Sequence, residues 1–183
     1  MNTKLTLCIP ILCCALLCAC STAEPPAPPS AQPAQSAPTV QSIHFVEIAS
    51  SVGLDWRHDN GLSPERHFPE TMGGGGAFFD YDGDGDPDIY AVNGAFITAD
   101  SSTEPPVNAL FRNDDGHFTA VSAGADHPGV GMGVAAADYD ADGDLDLYLT
   151  NFGPNVLFRN DGAYFVDIAA TAGVDDARWG TSC

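Results

Sequence analysis

Basic residues are scarce in this chain: Lys and Arg total 6 against 25 Asp and Glu, and the formal charge is −19. That balance excludes nucleic acid and anionic headgroups as binding partners, since both are held through a basic patch. Helical patterning is almost absent, which turns the reading toward β-structure. No apolar run reaches the roughly 20 residues that a membrane-spanning helix needs. Cysteine is concentrated where it cannot build a scaffold. Of Cys8, Cys13, Cys14, Cys18, Cys20 and Cys183, all but the last lie in or at the end of the leader. No internal disulfide is therefore expected. The familiar catalytic signatures are missing too: there is no GxSxG elbow, no HExxH, and no GK[ST] after the glycine run. What remains is substantial, because 44% hydrophobic residues and ten Phe exclude general disorder. The 183 residues suit one domain of ordinary size once a leader is removed.

Lys4 followed by the apolar run 5–17 reads as a secretory signal, to be set aside before any fold reasoning. It ends in Leu17-Cys18-Ala19-Cys20, which resembles the lipobox of bacterial lipoproteins. The resemblance implies a lipoprotein signal peptide over 1–19, cleavage after Ala19 and lipidation of Cys20, the lipid being the protein's only contact with a membrane. Ser21 after the lipidated cysteine suits the outer membrane by the same resemblance. The alternative is an ordinary signal cut after Ala23, and either route exports the chain. A Pro/Ala/Ser-rich linker over 20–41 follows, and its stretch 21–39 reads as an extended, solvated tether.

An internal repeat organises residues 42–183. GGGGAFFDYDGDGDPDIYAVNG from Gly73 matches GMGVAAADYDADGDLDLYLTNFG from Gly131, with Asp80 falling on Asp138. Downstream, Asn108-Ala-Leu-Phe-Arg-Asn113 matches Asn155-Val-Leu-Phe-Arg-Asn160. The spacing differs by the polar, Pro-containing insertion 96–107. A Phe-led stretch closes each copy, FTAVS at 118–122 and FVDIA at 165–169, and FVEIA at 45–49 precedes the first. The repeats run over about 73–126 and 131–176, and Trp179-Gly-Thr-Ser-Cys183 aligns with the start of another. Each copy reads as four short strands, in the second at 133–137, 145–151, 155–159 and 164–169. An Asp-Gly turn before the last predicts a type I′ hairpin. Four strands at a period of about 50 residues is the arrangement of a propeller blade. The expected class is all-β, an incomplete propeller of about two blades plus a leading strand, and thus an N-terminal fragment of a longer protein.

Two loops, 80–88 and 138–146, hold ten of the 25 acids. Counted from the first aspartate, Asp80, Asp82, Asp84, Asp86 and Asp88 stand at places one, three, five, seven and nine. Asp138, Asp140, Asp142, Asp144 and Asp146 repeat them, with Gly85 and Gly143 at place six. Alternate carboxylates in a curled loop aim at one centre, Gly permits the reversal, and place seven usually gives its backbone carbonyl. Ca²⁺ wants six to eight oxygens in flexible geometry, whereas Mg²⁺ demands a strict octahedron and is the poorer match. Place twelve holds Ala91 and Leu149 instead of the Glu of an EF-hand, and β-formers flank the loops. An EF-like loop inside a β-hairpin is the reading.

These segments resemble the calcium loops of FG-GAP/VCBS repeats, as in integrin α-subunit propellers. The likeness is closer to the cartilage-acidic-protein-like (ASPIC/UnbV) family. Similar segments there match His58-Asp-Asn-Gly61, Pro69-Glu-Thr-Met-Gly-Gly-Gly75 and Trp179-Gly-Thr-Ser182. The resemblance implies a seven-bladed propeller, with 45–49 joining the last blade to close the ring.

Other candidates read more plainly. His58, Asp59 and His67 fall in a long loop without metal-ligand spacing, and His44, His117 and His127 are scattered. Residues 73–76 suit close backbone packing near a propeller axis. The functional expectation is an exported, calcium-binding, non-enzymatic scaffold for an unknown protein or glycan, with calcium holding the fold. The alternatives are part of a secreted hydrolase with its active site at the propeller mouth or in a missing C-terminal region, and a calcium-dependent adhesin using the insertion 96–107.

Overall fold

Eight strands make two four-stranded antiparallel sheets in the computed structural model, which describes residues 42–97 and 104–183. The leader, Cys20 and the linker through residue 41 lie outside the described residues, as does the middle of the insertion. The first sheet contains β1 (Gly76–Phe79), β2 (Asp88–Ala91), β3 (Ala109–Asp114) and β4 (His117–Val121). The second contains β5 (Gly131–Ala137), β6 (Asp146–Asn151), β7 (Gly153–Asn160) and β8 (Phe165–Asp167). In each, strands pair only with their sequence neighbours, which is the up-and-down meander of a propeller blade. The fold is all-β, with two blades and little helix.

The core lies between the two blades. Phe79, Tyr81, Tyr90, Val92 and Leu110 of the first pack with Leu147, Leu149, Val156, Phe158 and Phe165 of the second. The second strand was expected to alternate apolar and polar, yet Asp146, Thr150 and Asn151 of β6 are buried along with its leucines. Both faces of the strand are covered: Asp146 accepts two backbone N–H groups and Asn151 Nδ2 donates to Pro154 O, while Thr150 Oγ1 has no hydrogen-bond partner among the described residues.

Glycine brings the innermost strands together. A Cβ on Gly75 would stand 2.9 Å from the Cα of Gly133, and one on Gly131 would meet Val92 Cγ1 at 2.2 Å. Gly131 N–H donates to Asn93 O at 3.1 Å, and Gly180 N–H donates to Asn151 O at 3.0 Å, so the C-terminal segment sits on the second blade as β5 sits on the first. Gly74 also lies tight against Val92 O. Close packing thus describes Gly74 and Gly75, whereas Gly73 faces open space.

Three details differ from the sequence reading. The last strand ends at Asp167, because Ile168 leaves the extended region (ψ 7°) and caps the helical turn α1 (Ala169–Ala172), closed by Gly173 at φ 71°. The first blade's hairpin turns on Asp115-Gly116, with φ 54° and 87°, as the Asp-Gly pair predicts. In the second blade the positive φ values fall one residue later, on Gly162 (73°) and Ala163 (69°). The register Asn160↔Phe165 places those two residues where Asp115 and Gly116 stand. Residues 45–48, the leading copy of the Phe-led stretch, form no strand, and Phe45 is 95% exposed. Like Ile168, Ile48 introduces a short helix (Ala49–Val52) that closes on a left-handed glycine, Gly53.

Candidate metal centres

Each acidic loop joins the first two strands of a blade, so the pairing of those strands fixes both of its ends. Phe79 pairs with Asp88 and Ala137 with Asp146, which returns place nine beside place one. Carboxylate oxygens of Asp80, Asp82 and Asp88 lie within 4.8 Å of one another, and those of Asp138, Asp140 and Asp146 do the same.

Backbone N–H groups hold the curl. Asp80 Oδ1 accepts from Gly83 (2.8 Å) and Asp84 (3.2 Å), and its Oδ2 accepts from Gly85 (2.9 Å). Asp138 accepts from Asp142 at 3.2 Å and Gly143 at 3.1 Å. Gly85 and Gly143, at φ 95° and 104°, make the reversal that place six requires. Asp88 is buried and uses both oxygens, Oδ2 for the N–H of Tyr81 and Oδ1 for that of Asn113 on β3, each at 2.8 Å. Asp146 does likewise with Tyr139 (2.9 Å) and Asn160 (2.8 Å).

The other four acids are placed differently. Asp84 and Asp142 accept the N–H two residues ahead, from Asp86 and Asp144. Asp86 and Asp144 turn their carboxylates to the outer hairpin, onto the N–H of Asp115 (2.8 Å) and Gly162 (3.1 Å). The backbone carbonyl is then the oxygen that place seven has to offer.

The donor set fits a hard cation. It contains oxygen only, with no His or Cys in either cluster. Asp82 Oδ1 is buried without a hydrogen-bond partner, a costly state for a carboxylate oxygen that a cation would relieve. Burial, and then the neighbouring Asp84 carboxylate, push Asp82 above the ordinary aspartate range. Asp140 is raised by burial and by Asp142. Asp88 is raised by burial against the opposing pull of the Tyr81 and Asn113 N–H groups.

The two loops differ in surroundings. Tyr81, at place two of the first, is buried and stacks on Phe165 of the second blade with ring centroids 6.2 Å apart. Its carbonyl accepts Asn160 Nδ2 at 2.7 Å. The matching Tyr139 is 48% exposed.

Asparagine was the residue type that motif reasoning passed over. In the first blade Asn93 N–H donates to Asn108 Oδ1 (2.7 Å), Asn108 Nδ2 to Tyr90 Oη (3.1 Å), and Tyr90 Oη to Ala125 O (2.7 Å). In the second, Asn151, Asn155, Tyr148 and Val174 O repeat the relay. The signal was available in the Asn that opens and closes both NxLFRN segments.

Among the described residues, His58, Asp59 and His67 form no cluster with other ligating side chains. Asp59 instead bonds through its backbone to the segment that follows β2: its N–H donates to Asn93 Oδ1 at 2.7 Å and its carbonyl accepts from the Gly94 N–H at 3.0 Å. The loop is braced by Glu70, buried and missed as a candidate, which accepts both the N–H and the hydroxyl of Ser63. Burial raises its pKa, but those two bonds and nearby His67 outweigh it and hold the carboxyl below the ordinary value.

The model of the FG-GAP-like repeat family matches residues 80–149, which begin at the first aspartate of the first loop and contain the whole of the second. No match was found among curated proteins. Among the described residues, no helix is long and apolar enough to cross a membrane.

Proposed function

We propose that this chain is an exported, calcium-binding and non-enzymatic propeller scaffold that presents its loops to a protein or glycan. Asp80, Asp82 and Asp88 would hold one ion with Asp84 and a place-seven carbonyl, and Asp138, Asp140 and Asp146 would hold a second with Asp142. Bound calcium would supply positive charge to carboxylates that otherwise repel one another. The protein's own part is to curl each loop on Asp80 or Asp138 and to anchor place nine to the third strand. Carboxylates committed in this way are poor general acids or bases, which favours a structural role over catalysis. The observation that carries the reading is the duplicated carboxylate triad, with the buried and unpartnered Oδ1 of Asp82 in the first copy. Export rests on the sequence of the leader, and lipidation at Cys20 belongs to the same reading.

Thermal unfolding of the full chain with calcium and with a chelator tests it. A ligand at a hundred times its Kd stabilises by about 2.7 kcal/mol, which moves the midpoint by several degrees. An unchanged midpoint would reject the calcium reading.

A further inference from the structure

Asn160 stands where the two acidic loops meet through the protein. It ends β7 and is fully buried. Its side-chain Nδ2 donates to the carbonyl of Tyr81 at 2.7 Å, and Tyr81 lies between Asp80 and Asp82 in the first loop. Its backbone N–H donates to Oδ1 of Asp146 at 2.8 Å, place nine of the second loop. The same Nδ2 also reaches Leu145 O at 3.3 Å, beside Asp146. One rigid residue therefore bonds to the peptide between two carboxylates of the first centre and to a carboxylate of the second. Phe165, which follows the hairpin from Asn160, stacks on Tyr81 and fixes the same junction through its ring.

Asn113 holds the equivalent place in the first blade. Its N–H donates to Asp88 Oδ1, but its Nδ2 goes to Pro87 O, within its own blade. The cross-blade bond is what Asn160 adds.

We infer that Asn160 couples the two cation centres, so that filling one raises the affinity of the other. The inference rests on the calcium reading above. A cation at the first centre sets the peptide that carries Tyr81 O, and a cation at the second sets Asp146, so each ion orders one of the two groups that hold Asn160. Two sites biasing one shared element must do so reciprocally. Asn160 is a positioning residue here, not a ligand.

The test is calcium titration calorimetry on the full chain, with Asp82→Asn disabling the first centre and Asp140→Asn the second. Independent centres would give a wild-type isotherm equal to the sum of the two single-centre variants. Coupling makes the wild type tighter than that sum, by roughly fivefold or more for an allosteric pair. Asn160→Ser removes the Nδ2 donor and should restore the simple sum, while general destabilisation would weaken both centres and leave their ratio intact. Should that variant not fold, amide NMR of the chain with Asn160 in place reads the same route. Calcium added to Asp140→Asn should shift the Asn160 side-chain amide, and calcium added to Asp82→Asn should shift its backbone amide. A wild-type isotherm equal to the sum, coupling that survives Asn160→Ser, or Asn160 resonances that ignore calcium would overturn the coupling while leaving calcium binding standing. A wild-type chain that takes up no calcium would sink both.

Discussion

Oδ2 of Asp86 accepts the backbone N–H of Asp115 at 2.8 Å, tying the acidic loop of the first blade to the turn of its outer hairpin. Asp144 and Gly162 repeat the bond at 3.1 Å. By residue type alone all five aspartates of a loop look alike, but this contact separates place seven from places one, three and nine. It closes a four-strand unit on itself: the loop between β1 and β2 grips the turn between β3 and β4.

A difference between substitutions follows. Asp86→Ala removes the grip and leaves the backbone carbonyl of place seven where it was. It should cost about 1 kcal/mol of stability, the value of a single hydrogen bond, with only a small change in calcium affinity. Asp82→Asn removes charge from the cluster and should weaken calcium binding by about tenfold or more. Calorimetric titration and urea unfolding of the two variants measure both effects. Equal losses of affinity would make Asp86 a ligand and remove the distinction.

Acidity should act oppositely on the cation-free and cation-loaded forms. Asp82, Asp88 and Asp140 all have carboxyl pKa values raised in the folded chain, above the 3.8 of an unperturbed aspartate, with burial as the largest cause. A group whose folded pKa is raised contributes stability below its unfolded pKa, and that contribution is lost as pH rises through the folded value. In chelator, these three groups therefore favour the folded state more as pH falls toward 3.8. With calcium bound, protons compete with the ion for the same oxygens, so the loaded form should lose its advantage over the same window. Melting in calcium and in chelator, from pH 7 down to 4, should show the two midpoints converging. Asp82→Asn and Asp140→Asn should flatten the convergence, and parallel curves would show that the clusters are not the titrating element.

The loops were legible in the sequence because alternate aspartates around Gly85 and Gly143 state their geometry locally. The strands were legible for a similar reason: each copy is short, apolar and bounded by turn residues, and the repeat shows everything twice. What escaped was long-range. Nothing near Asn160 in the chain indicates that its amide reaches Tyr81 in the preceding blade, nor that Glu70 turns inward to Ser63. The burial of Asp146 and Thr150 in β6 was hidden too, because alternation reports which residues can face water and not whether another part of the chain, here Gly180 beside Thr150, covers that face. The turn of the second hairpin was misplaced by one residue, since Asp161-Gly162 is a strong local signal that the register of Asn160 with Phe165 overrides.

That override leaves alanine in left-handed backbone. Ala163 sits at φ 69°, and Ala141 at φ 63° holds the place that Gly83 occupies in the first loop at φ 76°. A side chain in this region costs roughly 1–2 kcal/mol, while glycine gives part of that back through the entropy of the unfolded chain. Ala141→Gly should stabilise the protein by up to about 1 kcal/mol, and Gly83→Ala should destabilise it by a similar amount. Neither touches a carboxylate, so chemical denaturation in calcium is the direct measurement. A destabilised Ala141→Gly would mean that chain entropy outweighs the relief.

The two tyrosines of the asparagine relay give a matched pair for the cost of burial. Tyr90 is fully buried; its hydroxyl donates to Ala125 O at 2.7 Å and accepts from Asn108 Nδ2 at 3.1 Å. Burial also drives its pKa upward, so the hydroxyl stays protonated as a donor throughout the working range. Tyr148 makes the same two contacts, with Val174 O at 3.3 Å and Asn155 Nδ2 at 3.0 Å, but it is only partly buried. Phenylalanine at either place keeps the ring and deletes the hydroxyl. At 90 it strands a carbonyl and an amide that water cannot reach, at a cost of about 1–3 kcal/mol. At 148 solvent can replace the missing oxygen, and the cost should stay below about 1 kcal/mol. Urea unfolding of Tyr90→Phe and Tyr148→Phe in the presence of calcium measures the difference directly. Equal costs would mean that the hydroxyl bonds are worth the same wet or dry, and that the covering of the first blade by the second adds nothing to them.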